Sequence, residues 1–156
     1  MKQFSFLFLT FFMLFGFSGC EKKLIGGVEK MHWDRDMCER CKMAISERKF
    51  AVQLIDPKTG KDYKFDDLGC AVLWLKEEKI SWENQAIIWV TDAQTGEWID
   101  ARKARYINNV ITPMAYGFAA YSNVTLPKGV KVFDYPYVEK KVVEIEKENS
   151  TKVKVY

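Results

Sequence analysis

Apolar residues fall along this chain in three regimes. Residues 4–17 form a dense apolar run, rich in Phe and Leu and free of charge. Residues 21–36 are polar, contain Gly26-Gly27 and keep no period. From Met37 onward, short apolar stretches alternate with turn residues. Residues 50–55 read as a strand, and residues 61–65 as its return. Between them Asp56-Pro57-Lys58-Thr59-Gly60 is turn chemistry, with Pro fixing one φ and Gly permitting a positive one. Asp66 or Asp67 can then cap a helix over residues 68–79. Cys70, Leu73, Trp74 and Glu77 share one stripe of that helix at i, i+3, i+4 and i+7 spacing.

The same skeleton recurs. Residues 86–90 read as a strand, residues 91–96 as a turn ending in Thr95-Gly96, and residues 97–99 as the return strand. Asp100 can cap a short helix carrying Ala104 and Tyr106. Apolar strand, Asp-x-x-Thr-Gly, aromatic return strand, Asp and helix thus appear twice. This reads as a weak duplication of a ββα unit, although two tight hairpins also look alike without common descent. The expected fold class is α+β, with two hairpin-plus-helix units in one domain. Residues 111–117 read as a loop entering the apolar segment 118–121, and residues 130–133 as a strand. From Glu139 charge alternates with Val and Ile, the pattern of an edge strand or a solvated tail.

The N-terminal run changes where the domain is expected to work. Lys2 ahead of it and its length suit a secretory signal better than a membrane span, which needs about 20 apolar residues. Phe17-Ser18-Gly19-Cys20 resembles the lipobox of bacterial lipoproteins, which are cut before a Cys that then carries lipid. The alternative is an uncleaved anchor helix. Residues 1–19 are therefore expected to be a signal, Cys20 the lipidation site and residues 20–36 a tether. The domain would be held at a membrane rather than spanning it, facing an extracytoplasmic space. Removing Lys2 takes the basic residues from 24 to 23 against 21 acidic ones. No basic stripe with interleaved aromatics is present, so a nucleic-acid partner is not expected.

Cysteine arithmetic points to a site. Of four cysteines, Cys38, Cys41 and Cys70 remain once Cys20 is lipidated. An odd count is a poor disulfide framework, and a free thiol outside the cytoplasm needs burial, catalysis or a metal. Cys38-Glu39-Arg40-Cys41-Lys42-Met43 packs two thiols and a thioether into one short segment. Such ligands favour Cu(I), since zinc rarely takes a thioether. Three other chemistries fit the spacing: a structural zinc completed by Cys70 and His32, thiol–disulfide exchange, and a plain disulfide. Exchange is disfavoured because the motif follows a tether and does not open a helix after a strand. Cys70 reads either as a small buried hydrophobe or as a third ligand. Met114, between Pro113 and Gly117 in a loop, reads as core packing or as a mobile thioether ligand. His32, in the tether, reads as a solvated bystander. Met31 and Met37 flank the motif.

Four segments in this order resemble the NosL family, copper-binding lipoproteins accessory to nitrous oxide reductase. They are Cys38-Glu39-Arg40-Cys41-Lys42-Met43, Phe65-Asp66-Asp67-Leu68-Gly69-Cys70, Thr95-Gly96-Glu97-Trp98-Ile99-Asp100-Ala101 and Thr112-Pro113-Met114-Ala115-Tyr116-Gly117. Ala115 stands where the family usually has Gly. The resemblance implies a copper-binding domain over residues 37–138, with residues 139–156 outside it. It implies Cu(I) as cargo, Cys38, Cys41, Met43, Cys70 and Met114 as candidate ligands, and nitrous oxide reductase as acceptor. The expected role is a metallochaperone and not an enzyme.

Overall fold

The computed structural model describes residues 26–153; the expected signal and Cys20 lie outside them. The described residues include six strands and two α-helices. They are β1 (Val52–Ile55), β2 (Asp62–Phe65), α1 (Leu68–Glu77), β3 (Ile87–Thr91), β4 (Trp98–Asp100), β5 (Arg105–Ile107), β6 (Ala119–Tyr121) and α2 (Tyr135–Val153). The main sheet runs β2-β1-β3-β4, all antiparallel, and β5 pairs with β6 in a second sheet. The architecture is α+β, as expected.

Both hairpins turn on the chemistry read from sequence. Asp56 accepts hydrogen bonds from the Lys58 N–H and the Thr59 hydroxyl, each at 2.8 Å, and Gly60 takes φ +71°. Asp92 accepts from the N–H groups of Gln94 and Thr95, and Gly96 takes φ +78°. The second turn is anchored further, because the other Asp92 oxygen accepts from the Ser122 N–H and the Thr125 hydroxyl.

The units diverge after the hairpins. Asp67 caps α1, accepting from the Gly69 N–H at 2.8 Å. Asp100 begins the same gesture, accepting from the Arg102 N–H at 2.9 Å. There a single turn gives way to β5, and the expected helix does not form. Long-range pairing wins over the local cap: Tyr106 exchanges backbone hydrogen bonds with Phe133 at 2.9 and 2.8 Å and pairs with Ala120 in β6. Its buried hydroxyl donates to the Ala101 carbonyl at 2.6 Å. The strand expected at 130–133 is reduced to this bridge at Phe133.

Two further expectations are corrected. Residues 26–36 are not a free tether but lie on the sheet. Gln53, fully buried on the inner strand β1, exchanges hydrogen bonds with the Glu29 backbone at 2.9 and 2.8 Å. The Trp89 indole donates to the Gly26 carbonyl, and Met31 is buried. A buried amide needs partners, and this segment supplies them.

Residues 139–153 are neither strand nor tail but most of α2. The alternation of Val143 and Ile145 with charge suggests period two. The buried set Tyr135, Val138 and Val142 has helical spacing. Asp134, accepting from the Tyr137 N–H at 3.0 Å, caps the helix, and Pro136 lies in its first turn. α2 packs on α1, and every residue of α1 before Trp74 is buried. Val138→Ala with Val142→Ala is expected to cost about 3 kcal/mol, at ~0.8 kcal/mol per buried methylene equivalent. Urea unfolding reads this as a lower midpoint. A loss under about 0.5 kcal/mol, the usual size for surface changes, would mean that the helix is not docked.

Candidate metal centre

Two segments build the site. The first is a tight loop. Cys38 donates its N–H to the Met43 carbonyl at 2.8 Å, and Lys42 donates to the Cys38 carbonyl at 3.0 Å with φ +59°. An isolated bridge from Met37 to Ala44 closes the base. The loop is fastened to β2 by the Glu39 N–H on the Lys64 carbonyl at 2.9 Å. The second segment is the junction from β2 into α1, which presents Asp66 and, in the first turn of α1, Cys70.

The adjacent aspartates divide the work. Asp67 caps α1 and with its other oxygen accepts from the Thr112 hydroxyl at 2.6 Å and the Met114 N–H at 3.1 Å. Burial pushes its carboxyl above the usual range, against those hydrogen bonds. Asp66 turns instead to the sulfurs. The ligand atoms of Cys38, Cys41, Asp66 and Cys70 all lie within 4.8 Å of one another. All three thiols are free. Cys38 and Cys70 are fully buried, and Cys41 is partly exposed.

The cluster is biased to hold one negative charge before any metal arrives. The Cys70 S–H donates to the Cys38 sulfur, the largest influence there, and outweighs burial. The backbone N–H groups of Cys41 and Asp66 also point at that sulfur, and the Cys38 thiol is drawn down to about 7. Cys41 moves the other way, pushed up to about 12 by burial first and then by the neighbouring charges of Cys38 and Asp66. Its S–H donates to Asp66 Oδ2 at 3.4 Å. Cys70, the donor to Cys38, is pushed upward first by that hydrogen bond and then by burial. The other Asp66 oxygen, Oδ1, is buried without a hydrogen-bond partner.

Arg40, between the two loop cysteines, clamps the site to the rest of the molecule. Its guanidinium makes a bidentate pair with Glu77 of α1 at 2.9 and 2.8 Å, meets Glu146 of α2 at 2.8 Å, and donates to the Tyr116 hydroxyl at 2.9 Å. Tyr116 in turn donates to Glu146 at 2.9 Å. The Tyr116 ring lies over Gly69, where a Cβ would fall 2.1 Å from ring atoms.

The other sequence candidates are placed as follows. Met43 is half exposed on an open groove of about 440 Å³, shared with Phe50, Asp66, Thr112 and Pro113 among others. Met114 is partly buried against the core, its loop tied to Asp67. His32 is exposed and faces Asp36 at 3.5 Å, so the zinc reading that used it loses that donor. Sequence reasoning missed Asp66 as a donor and Arg40 altogether. The tandem Asp66-Asp67 before a helix was the available signal, since one cap needs only one aspartate. Ala115 adopts φ +60°, the left-handed region that favours Gly.

These features define a small α+β domain with a sulfur-rich candidate metal centre at a strand-to-helix junction. No family profile and no curated protein matches the sequence. Among solved structures, the chain is similar to the crystal structure of the copper chaperone NosL from Shewanella denitrificans. The likeness has a TM-score of 0.51 at 17% identity and covers 71% of this chain and 94% of that one. The fold is therefore NosL-like, as the sequence motifs implied.

Two outcomes follow from the geometry. In the reduced, metal-free protein, thiolate absorbance is expected to gain one thiolate as pH rises through about 7. Cys70→Ala should move that midpoint upward by removing the donor. An unmoved midpoint would show that Cys70 does not hold the Cys38 thiolate. Ala115→Gly is expected to stabilise the domain by about 1 kcal/mol through relief of left-handed strain, read as a higher melting temperature. A lower one would mean that the loop does not hold this conformation.

Proposed function

We propose that this protein is an extracytoplasmic carrier of Cu(I), holding the ion on the sulfurs of Cys38, Cys41 and Cys70 and passing it to an acceptor protein. The observation that carries the reading is the convergence of three free thiols from two segments distant in sequence. Soft sulfur donors select Cu(I) over harder ions. The likeness to a solved copper chaperone supports the same reading.

Exposure suggests the direction of transfer. Cys38 and Cys70 are inside, while Cys41 is partly exposed and Met43 lies on the groove. Copper bound inside leaves by way of Cys41, with Met43 and Met114 as thioethers for the exchange. Ile111, 94% exposed, and Pro113 give the groove an apolar lip for the acceptor. The acceptor we propose is nitrous oxide reductase, on the strength of the NosL-type sequence motifs. The anchor we propose is lipid on Cys20. Among the described residues no helix is long and apolar enough to cross a membrane.

Thiol–disulfide exchange fits less well. The thiol that ionises most readily, Cys38, is fully buried, whereas an exchanging thiolate needs access.

Anaerobic Cu(I) titration against a competing chelator tests the reading. The reduced protein should bind one Cu(I) per chain. Cys38→Ser with Cys41→Ser should weaken it beyond the ~10–100-fold typical of outer-shell changes. Met43→Ala and Met114→Ala should slow transfer to a thiolate acceptor more than they weaken binding. Absent binding, or binding untouched by the double serine variant, would remove the proposal.

A further inference from the structure

We infer that the face of the main sheet opposite α1, at its β3–β4 side, lies on a lipid surface, and that the groove beside Ile111 opens away from that surface. This rests on the proposal of lipid on Cys20 and not on which ion the protein carries.

The first argument is where the chain enters the domain. Gly26 is seated on β3: the Trp89 indole donates to its carbonyl at 2.9 Å, its φ is +105°, and a Cβ there would fall 2.8 Å from Ile87 Cδ1. Three residues on, the Glu29 backbone bonds the Gln53 side chain. Gln53 stands in register with both Trp89 and Lys64, so these three side chains share one face. Neighbouring residues along each strand point to the other face. There Tyr63 and Phe65 meet the Trp74 ring of α1 at 4.7 and 5.5 Å. The sheet therefore stands between the entering chain and α1.

Reach is the second argument. Residues 21–25 separate Cys20 from Gly26. An extended chain covers at most ~3.6 Å per residue, which keeps Gly26 within about 22 Å of a lipidated Cys20. A domain of this length has a radius of gyration of ~14 Å and measures about 36 Å across. With Gly26 turned away from the bilayer, the linker would have to span that whole width. Inversion is out of reach, and surface chemistry selects among the orientations that remain.

That chemistry is the third argument. Ile87, Trp89 and Trp98 alternate onto the face that bears Gly26, and all three are half-buried. Val28, between Gly26 and Glu29, is 36% exposed. Tryptophan rings favour the headgroup level of a bilayer, where one side is apolar and the other wet. Lys22 and Lys23, against Glu21, leave the linker net positive beside anionic headgroups. Ile111, 94% exposed, belongs to the other side. Its neighbour Thr112 donates to Asp67, the cap of α1. That lip is left clear for a protein partner approaching from the aqueous side.

The experiment places the lipidated protein in vesicles of phosphatidylethanolamine and phosphatidylglycerol and compares it with Cys20→Ser, unlipidated, in solution. Val28→Cys and Ile111→Cys each add a thiol for a bulky, membrane-impermeant maleimide, and the parent protein's own thiols set the baseline. Anchoring should remove most of the reactivity at position 28 and none at position 111. Equal reactivity at position 28 with and without the anchor overturns the inference, as does protection at position 111. Phospholipids brominated near the headgroup provide a second measurement. They should quench the tryptophan emission of the anchored protein, and less so in Trp89→Phe. Unquenched wild-type emission overturns the contact even if that variant does not fold. Mass spectrometry of Cys20 separates the two readings. Absence of lipid sinks the anchor and this inference together, whereas lipid with position 28 unprotected sinks this inference alone.

Discussion

The junction between β2 and α1 is the constraint on which the rest depends. β2 is registered against β1 with Phe65 opposite Val52, and the chain leaves the sheet at the next residue. Two adjacent aspartates then face different neighbours. Asp67 must satisfy the open N–H groups of a buried helix, an obligation that holds wherever a helix begins away from water. In doing so it also holds the Thr112 hydroxyl and the Met114 N–H. Asp66 is thereby left to the other side, where the sulfurs are. Cys70 follows in the first turn of the same helix, so the cap that starts α1 also positions half of the donor set.

The other half is held by a charge network that extends across the molecule. Arg40 belongs to the Cys38–Cys41 loop, but its partners are on both helices and on Tyr116. A half-buried guanidinium bonded in a bidentate fork is far more directional than an exposed ion pair. Removing one partner would strand charge in the interior, which is where such networks resist disruption. The C-terminal helix therefore matters to the site although it contributes no donor. Through Glu146 it fixes Arg40 and Tyr116 together, and the Tyr116 ring closes over Gly69 beside Cys70.

The sequence disclosed what is local. Both hairpin turns, their aspartates and glycines, a cap at Asp66 or Asp67 and the pairing of Cys38 with Cys41 could be read from spacing and residue type, whereas Cys70 stayed open between a buried hydrophobe and a ligand. What it concealed depends on distant pairing. Asp100 has the same local signal as Asp67, yet Tyr106 finds Phe133 and Ala120, and a strand replaces the helix. Residues 26–36 looked like a linker because their polarity is real, but the buried amide of Gln53 needs their backbone. In α2 the charged residues obscured a helical stripe at Tyr135, Val138 and Val142, although Asp134 and Pro136 marked its start. Arg40 could not be found from sequence, because its partners are far away along the chain.

The carrier role proposed above sets holding against releasing. More donors and deeper burial tighten binding, and both slow the departure of the ion. This cluster is graded rather than uniform. Cys38 and Cys70 are sealed inside, and Cys70 donates to Cys38 and draws its thiol down, so the negative charge is favoured where solvent is absent. Cys41 keeps its proton more firmly, directs it at Asp66 and stands at the partly exposed edge. An arriving soft ligand meets that edge first. Cys41 lies on a short loop closed by the Met37–Ala44 bridge and pinned through Arg40, so its partly exposed sulfur is reached without opening the core. In the proposed transfer, the buried pair would retain the ion and the partly exposed Cys41 would meet the acceptor.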